Sequence, residues 1–130
     1  MRILGIDYGK KKIGLAFGES AVKVALPLEV IPNEGEKTFE ILKKKMESEG
    51  IEAVVVGVPL STGSHHGSEQ LERNRAFIAE LAKRVSIPVF EEDESFTTAE
   101  SLRLQVEEGA EADEDALAAM IILQAYFDRS

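Results

Sequence analysis

Gly5-Ile6-Asp7-Tyr8-Gly9-Lys10-Lys11-Lys12-Ile13-Gly14-Leu15-Ala16 carries an apolar strand into a carboxylate, a glycine-flanked turn and three lysines before apolar residues resume. Asp is a poor strand former, and Ile3-Leu4-Gly5-Ile6 reads as sheet interior. A carboxylate at the end of such a run needs a metal ion, a hydrogen-bond donor or solvent to hold its charge. Gly5 and Gly9 leave room beside it for a phosphate or another backbone. Two readings stand at this point: Asp7 as a metal ligand, and Asp7 as the opening of an Asx-type hairpin turn.

Outward from that segment, Met1 to Tyr8, Ile13 to Glu19 and Val22 to Ile31 read as three strands joined by short turns, hence an antiparallel meander. Pro27 and Pro32 favour an edge or end position for the third strand. Gly35 to Glu49 has helical spacing, with Phe39, Leu42 and Met46 on one face, Lys43, Lys44 and Lys45 on a solvated face, and Gly50 as the stop. Ala53 to Val58 is a continuous apolar run, as expected of a strand covered on both faces near the sheet centre. Pro59 to Gly67 reads as a loop, Ser68 to Val85 as an amphipathic helix bearing Leu71, Phe77, Ile78 and Leu81, and Ile87 to Glu92 as a strand. A strand, helix, strand order of this length is a βαβ unit with parallel pairing. Thr97 and Glu100 have capping-box spacing for a helix to about Glu108, ended by Gly109, and a last helix runs from Asp113 to Asp128. The expectation is one α/β domain over residues 1–130: a five-stranded mixed sheet, three antiparallel strands followed by parallel ones, flanked by helices.

At 130 residues and 44% apolar content the chain can bury a full core. No run approaches the ~18 apolar residues of a membrane span, and no signal-peptide pattern opens it, so a cytoplasmic protein without membrane contact is expected. The absence of cysteine removes thiolate chemistry and Cys-type zinc sites. The net charge of −9 argues against a nucleic-acid partner until its distribution is read. Residues 1–90 hold thirteen Lys/Arg against twelve Asp/Glu, whereas residues 91–130 hold two against twelve. Most of those acids read as solvated helix faces.

Two more acids join Asp7. Glu94 lies just past the last strand, and if the first and fifth strands are parallel it emerges on the same rim as Asp7, where α/β sheets bind ligands. Asp115 opens the last helix, and Ala118 and Ala119, three and four residues on, share its face and let that face lie close to the sheet. Each acid alone reads equally as a cap. Together, as hard oxygen ligands, they suit Mg²⁺ or Mn²⁺, ions that promote phosphodiester hydrolysis without a covalent nucleophile. Ser61, Ser64, His65 and His66 share one loop but lack a nucleophile elbow or an orienting acid. Lys11, Lys12, Arg73 and Arg75 flank the rim; Arg75, at a helix start, either forks onto a phosphate or pairs with Glu72 or Glu80.

The pattern resembles, end to end, the YqgF family of pre-ribosomal-RNA nucleases, also described as Holliday-junction-resolvase-like. Gly5-Ile6-Asp7-Tyr8-Gly9 with Lys11-Lys12-Ile13-Gly14-Leu15-Ala16 is similar to its first motif, and Val56-Gly57-Val58-Pro59-Leu60 with Gly63-Ser64 and Gly67 to its central loop. Arg75-Ala76-Phe77, Asp93-Glu94 with Thr97-Thr98, and Asp115 with Ala118-Ala119 and Ile122-Leu123 are similar to the remaining motifs. The resemblance implies a ribonuclease H-like fold, a hydrolase with Asp7, Glu94 and Asp115 as its catalytic and metal-binding acids, a divalent ion, and trimming of the 5′ end of precursor 16S ribosomal RNA, free or in ribosomal particles. Lys11, Lys12 and Arg75 would clamp the backbone. Ser95 stands where the family signature has Arg, and Gly109 to Glu114 is acidic where relatives are basic. Junction resolvases take an acid from the preceding strand, where this chain has Gly57 and Pro59, so Asp93 rivals Glu94 as the second acid. Branched DNA as substrate and a non-catalytic RNA-binding module for ribosome assembly are the alternatives. A phosphotransferase of the actin and sugar-kinase type would need a second half that 130 residues leave no space for.

Overall fold

The computed structural model describes residues 1–60, 65–94 and 114–130, with backbone alone at 65–68. Five strands form one sheet: β1 (Arg2–Tyr8), β2 (Lys12–Glu19), β3 (Val24–Pro32), β4 (Ala53–Val58) and β5 (Val89–Asp93), in the spatial order β3-β2-β1-β4-β5. The first three pair antiparallel, and β1, β4 and β5 run parallel. This is the mixed sheet expected from the pattern. β3 occupies an edge, where Pro27 and Pro32 remove no ladder bond from a neighbour, and its register with β2 slips between Leu15 and Ala16. The third strand begins at Val24, not Val22, because Val22 and Lys23 turn back onto the Glu19 carbonyl. β1 takes the centre, with β4 beside it and every β4 residue buried.

The two-residue alternation of strands distributes the chain over two faces. Leu4, Ile6, Ile13, Leu15, Val54 and Val56 pack with Leu42 and Met46 of α1 (Glu36–Ser48) and Phe77 and Leu81 of α2 (His65–Arg84). The opposite face is covered by α3 (Glu114–Arg129), whose Ile122, Leu123 and Phe127 meet Ile3, Ala25, Ala53 and Val55. α1 ends as expected at Gly50, at φ 66°, where Ile51 N–H bonds back to Met46 O at 2.9 Å. Of the Lys43-Lys44-Lys45 run on α1, Lys45 reaches back to Glu29 of β3 at 2.6 Å, which leaves Lys43 and Lys44 exposed. α2 starts at His65, three residues earlier than expected, so His65 and His66 belong to a helix and not to a loop. The expected helix from Thr97 to Glu108 and its stop at Gly109 lie outside the described residues, as do Ser61, Gly63, Ser64 and Ser95.

The sheet face under α3 is floored by glycine. A Cβ at Gly5 would sit 2.8 Å from Leu123 Cβ and 3.0 Å from the Ala119 carbonyl, one at Gly18 would sit 2.7 Å from Phe127, and one at Gly14 would run into the Asp115 carbonyl. With Ala119 fully buried against this floor, the helix backbone lies close to the strands. Gly5 therefore makes room for another backbone, that of α3, and Gly9 for the Lys12 carbonyl within the hairpin turn.

Candidate active site

Asp7 follows Ile3 and Gly5 on the α3 side of β1, at the end of the strand where the glycine floor has let the start of α3 approach. Glu94 is the first residue past β5; its N–H bonds to Val58 O at 2.9 Å, holding the chain against the end of β4. Because β1, β4 and β5 are parallel, both acids emerge at the carboxyl ends of their strands. Their side chains are hydrogen-bonded to each other. Glu94, not its neighbour Asp93, makes this bond, since alternation along β5 turns Asp93 to the other face.

Two carboxyls that touch cannot both be charged at little cost, so one proton is shared between them. Burial, then the charge of Asp7 and the hydrogen bond given to Asp7, push Glu94 up to about 8, against the pull of Asn74. Burial also raises Asp7, the bond from Glu94 opposes that rise, and the charges of Asp115 and Glu114 at the start of α3 add to it. Asp115 thus faces the pair through its field. It also lies 3.6 Å from Lys12 Nζ, a pairing in which Lys12 remains 60% exposed. Among the described residues, no three His, Asp or Glu side chains stand close enough to form a ready metal cage. The acids form a pair with a third at hand, rather than the closed trio expected from the sequence.

The missing acid on β4 has a steric counterpart. A Cβ at Gly57 would lie 3.0 Å from Glu94 Oε2 and 3.0 Å from Ile122 Cγ1, so Glu94 reaches from the next strand into space that a β4 side chain would fill. Asn74 of α2, with no exposed surface, donates from Nδ2 to Gly57 O at 2.9 Å and to Glu94 Oε1 at 3.2 Å. Asn74 lies between the more conspicuous Arg73 and Arg75, and its signal in the sequence is that it interrupts the apolar stripe of Leu71, Phe77, Ile78 and Leu81.

Arg75 differs from expectation. It lies in the middle of α2, exposed, and forks onto Glu91 of β5 at 2.9 and 3.2 Å, rather than standing at a helix start or pairing with Glu72 or Glu80. The reason is register: Glu91 pairs with Val56 on the face of the sheet that α2 covers. Lys11 is exposed in the β1–β2 turn, where its carbonyl accepts from Asn33 N–H at 2.9 Å and Asn33 Nδ2 donates to Gly9 O at 2.8 Å. Those bonds hold the turn that carries Lys11 and Lys12.

Residues 1–129 match the profile of the RuvX family, described as Holliday junction resolvase. The chain belongs to that family. Among relatives, a protein of Sulfurihydrogenibium named "Putative pre-16S rRNA nuclease" is 36% identical over 98% of this chain and 90% of its own length. One of the same name from Albidiferax ferrireducens is 38% identical over 95% of this chain and 75% of its own. Among solved structures, Thermus thermophilus RuvC in complex with a Holliday junction substrate superposes with a TM-score of 0.66 at 16% identity, covering 99% of this chain and 95% of that one. The fowlpox virus Holliday junction resolvase gives 0.63 at 9% identity over the whole of both chains. At such identities the likeness is one of fold, and the RuvX-family chain has the ribonuclease H-like fold that its sequence implied.

Proposed function

We propose that this chain is a metal-dependent endonuclease that hydrolyses phosphodiester bonds, acting at the 5′ end of precursor 16S ribosomal RNA in the cytoplasm. The observation that carries the reading is the pairing of Asp7 with Glu94 at the carboxyl ends of parallel strands, under the charge of Asp115. Structural caps do not need two buried carboxyls in contact; burial raises both and the contact raises Glu94 further, a cost relieved when a cation replaces the shared proton. The donor set, all hard carboxylate oxygens with no cysteine in the chain, fits Mg²⁺ or Mn²⁺. Asp7 and Glu94 would hold the ion, and Asp115 would join them when Lys12 turns from it to a phosphate. Bound there, the ion would supply what these side chains lack, acidification of a water and stabilisation of the departing oxygen. Lys11 and Lys12, on the turn beside the acids, would hold the nucleic-acid backbone, with Arg75 joining once released from Glu91. The name shared by the curated relatives supports RNA as substrate.

A second substrate, a four-way DNA junction, is favoured by the description of the family and by the fold neighbours. One experiment separates the readings: purified chain, with Mg²⁺ or with chelator, on a precursor RNA spanning the 5′ processing site and on a four-way junction. Mg²⁺-dependent cutting of the RNA, lost in Asp7→Asn by roughly 10³-fold or more, is the expected result, a size set by the several kcal/mol that a bound divalent ion contributes. Cutting of the junction alone reassigns the substrate. RNA binding that chelation leaves unchanged, with no cut product, identifies a non-catalytic module instead.

A further inference from the structure

Asn74 is more than a packing residue. A position with no exposed surface, on a stripe of Leu71, Phe77, Ile78 and Leu81, is suited by leucine, which has similar volume and no amide to strip of water. Asn74 instead buries its amide, and its Oδ1 has no hydrogen-bond partner among the described residues. The chemistry of its partners explains that orphan. Gly57 O and Glu94 Oε1 are both acceptors, so both must be met by the same NH₂ group, and the amide oxygen is turned away from them. An unsatisfied buried oxygen is costly, and a residue kept at that cost indicates that its donors are used.

The use is found at Glu94. That residue lies beyond the last ladder pair, Val58 with Asp93, so the sheet fixes its backbone but not its side-chain rotamer. Asn74 ties the Glu94 carboxyl and the Gly57 carbonyl to one rigid amide on a helix. We propose that Asn74 is a positioning residue of the active site, holding Glu94 turned toward Asp7 before cation and substrate arrive. The proposal rests on the nuclease reading above. It follows the general pattern in which a hydrogen bond behind a ligating carboxylate sets its orientation.

Asn74→Leu tests it, since it keeps volume and removes the donors. The expected result is Mn²⁺ affinity by calorimetry weakened about 10- to 100-fold, and kcat per folded molecule lowered by a similar factor with KM for RNA nearly unchanged. This holds whichever way the thermal midpoint moves, since leucine removes the orphaned Oδ1 but also takes the donor from Gly57 O and Glu94 Oε1. A purely structural role predicts a changed midpoint with Mn²⁺ affinity and turnover per folded molecule intact, and that result overturns the proposal. A measurement on the unaltered sequence covers the case of a variant that fails to fold. With only two Asn and three Gln in the chain, the Asn74 side-chain amide can be followed by ¹⁵N NMR. It should move as Mg²⁺ is added and stay still in Asp7→Asn; a signal that stays fixed while wild-type protein binds Mg²⁺ overturns the proposal. Wild-type protein that neither binds Mn²⁺ nor cuts overturns the nuclease reading and the positioning role with it, whereas wild type that does both and is matched by Asn74→Leu overturns the positioning role alone.

Discussion

Glu94 and Asp7 make the site a source of instability as well as chemistry. An ordinary Glu carboxyl titrates near 4.5, while burial and Asp7 hold the folded one at about 8. Between those values the folded chain binds more protons than the unfolded one, so stability falls as pH rises from about 5 to 8. Thermal melts in chelator should show this decline, and Mg²⁺ should remove it by taking the place of the shared proton. Glu94→Gln should flatten the pH dependence and raise the metal-free midpoint at pH 8 by a few degrees, while abolishing cleavage. A midpoint in Glu94→Gln that falls at pH 8 would show that the carboxyl contributes to stability rather than opposing it. Asp93→Asn, by contrast, removes no hydrogen bond to Asp7 and should leave most of the turnover intact.

For the elements, the sensitive contact is α3 on its glycine floor. Gly5→Ala would drive a methyl against Leu123 Cβ and the Ala119 carbonyl, and since one of these is backbone, the helix itself must shift. The expected cost is about 1–3 kcal/mol by denaturant titration, with cleavage reduced further because Asp115 moves with the helix. Full stability after Gly5→Ala would mean that α3 does not lie as close as described. The sequence revealed the helix side of this contact through Ala118 and Ala119, but not the sheet side, because a strand glycine reads the same whether it makes way for a ligand or for a helix. Arg75 gives the complementary case. Its ion pair with Glu91 is exposed and screened by solvent, so it contributes little to stability; Arg75→Ala should barely alter the melt, and a raised KM for RNA would identify it as a substrate contact.

Across the chain as a whole, charge is the governing property. A molecule of net charge −9 binds a polyanion only through a local basic surface, and the β1–β2 turn with Lys11 and Lys12 provides one beside the acids. RNA affinity should weaken with salt along a shallow slope, and replacing either lysine with Ala should lower that slope by about one without changing the thermal midpoint. An unaltered slope would move the contact elsewhere. No helix among the described residues is long and apolar enough to cross a membrane.

The letters were sufficient for what repeats along a chain or follows from local chemistry. The alternation of β1 and β2, the two prolines that send β3 to an edge, the unbroken apolar run of β4 and the glycine that stops α1 are each visible within a dozen residues. The family motifs then marked Asp7, Glu94 and Asp115 as candidates. Only the folded chain could pair Asp7 with Glu94, set Asn74 behind them, turn Asp93 away and join Arg75 to Glu91. Those outcomes depend on strand register and helix placement, which bring together residues up to 87 positions apart, from Asp7 to Glu94, and no local pattern encodes a distance across a sheet.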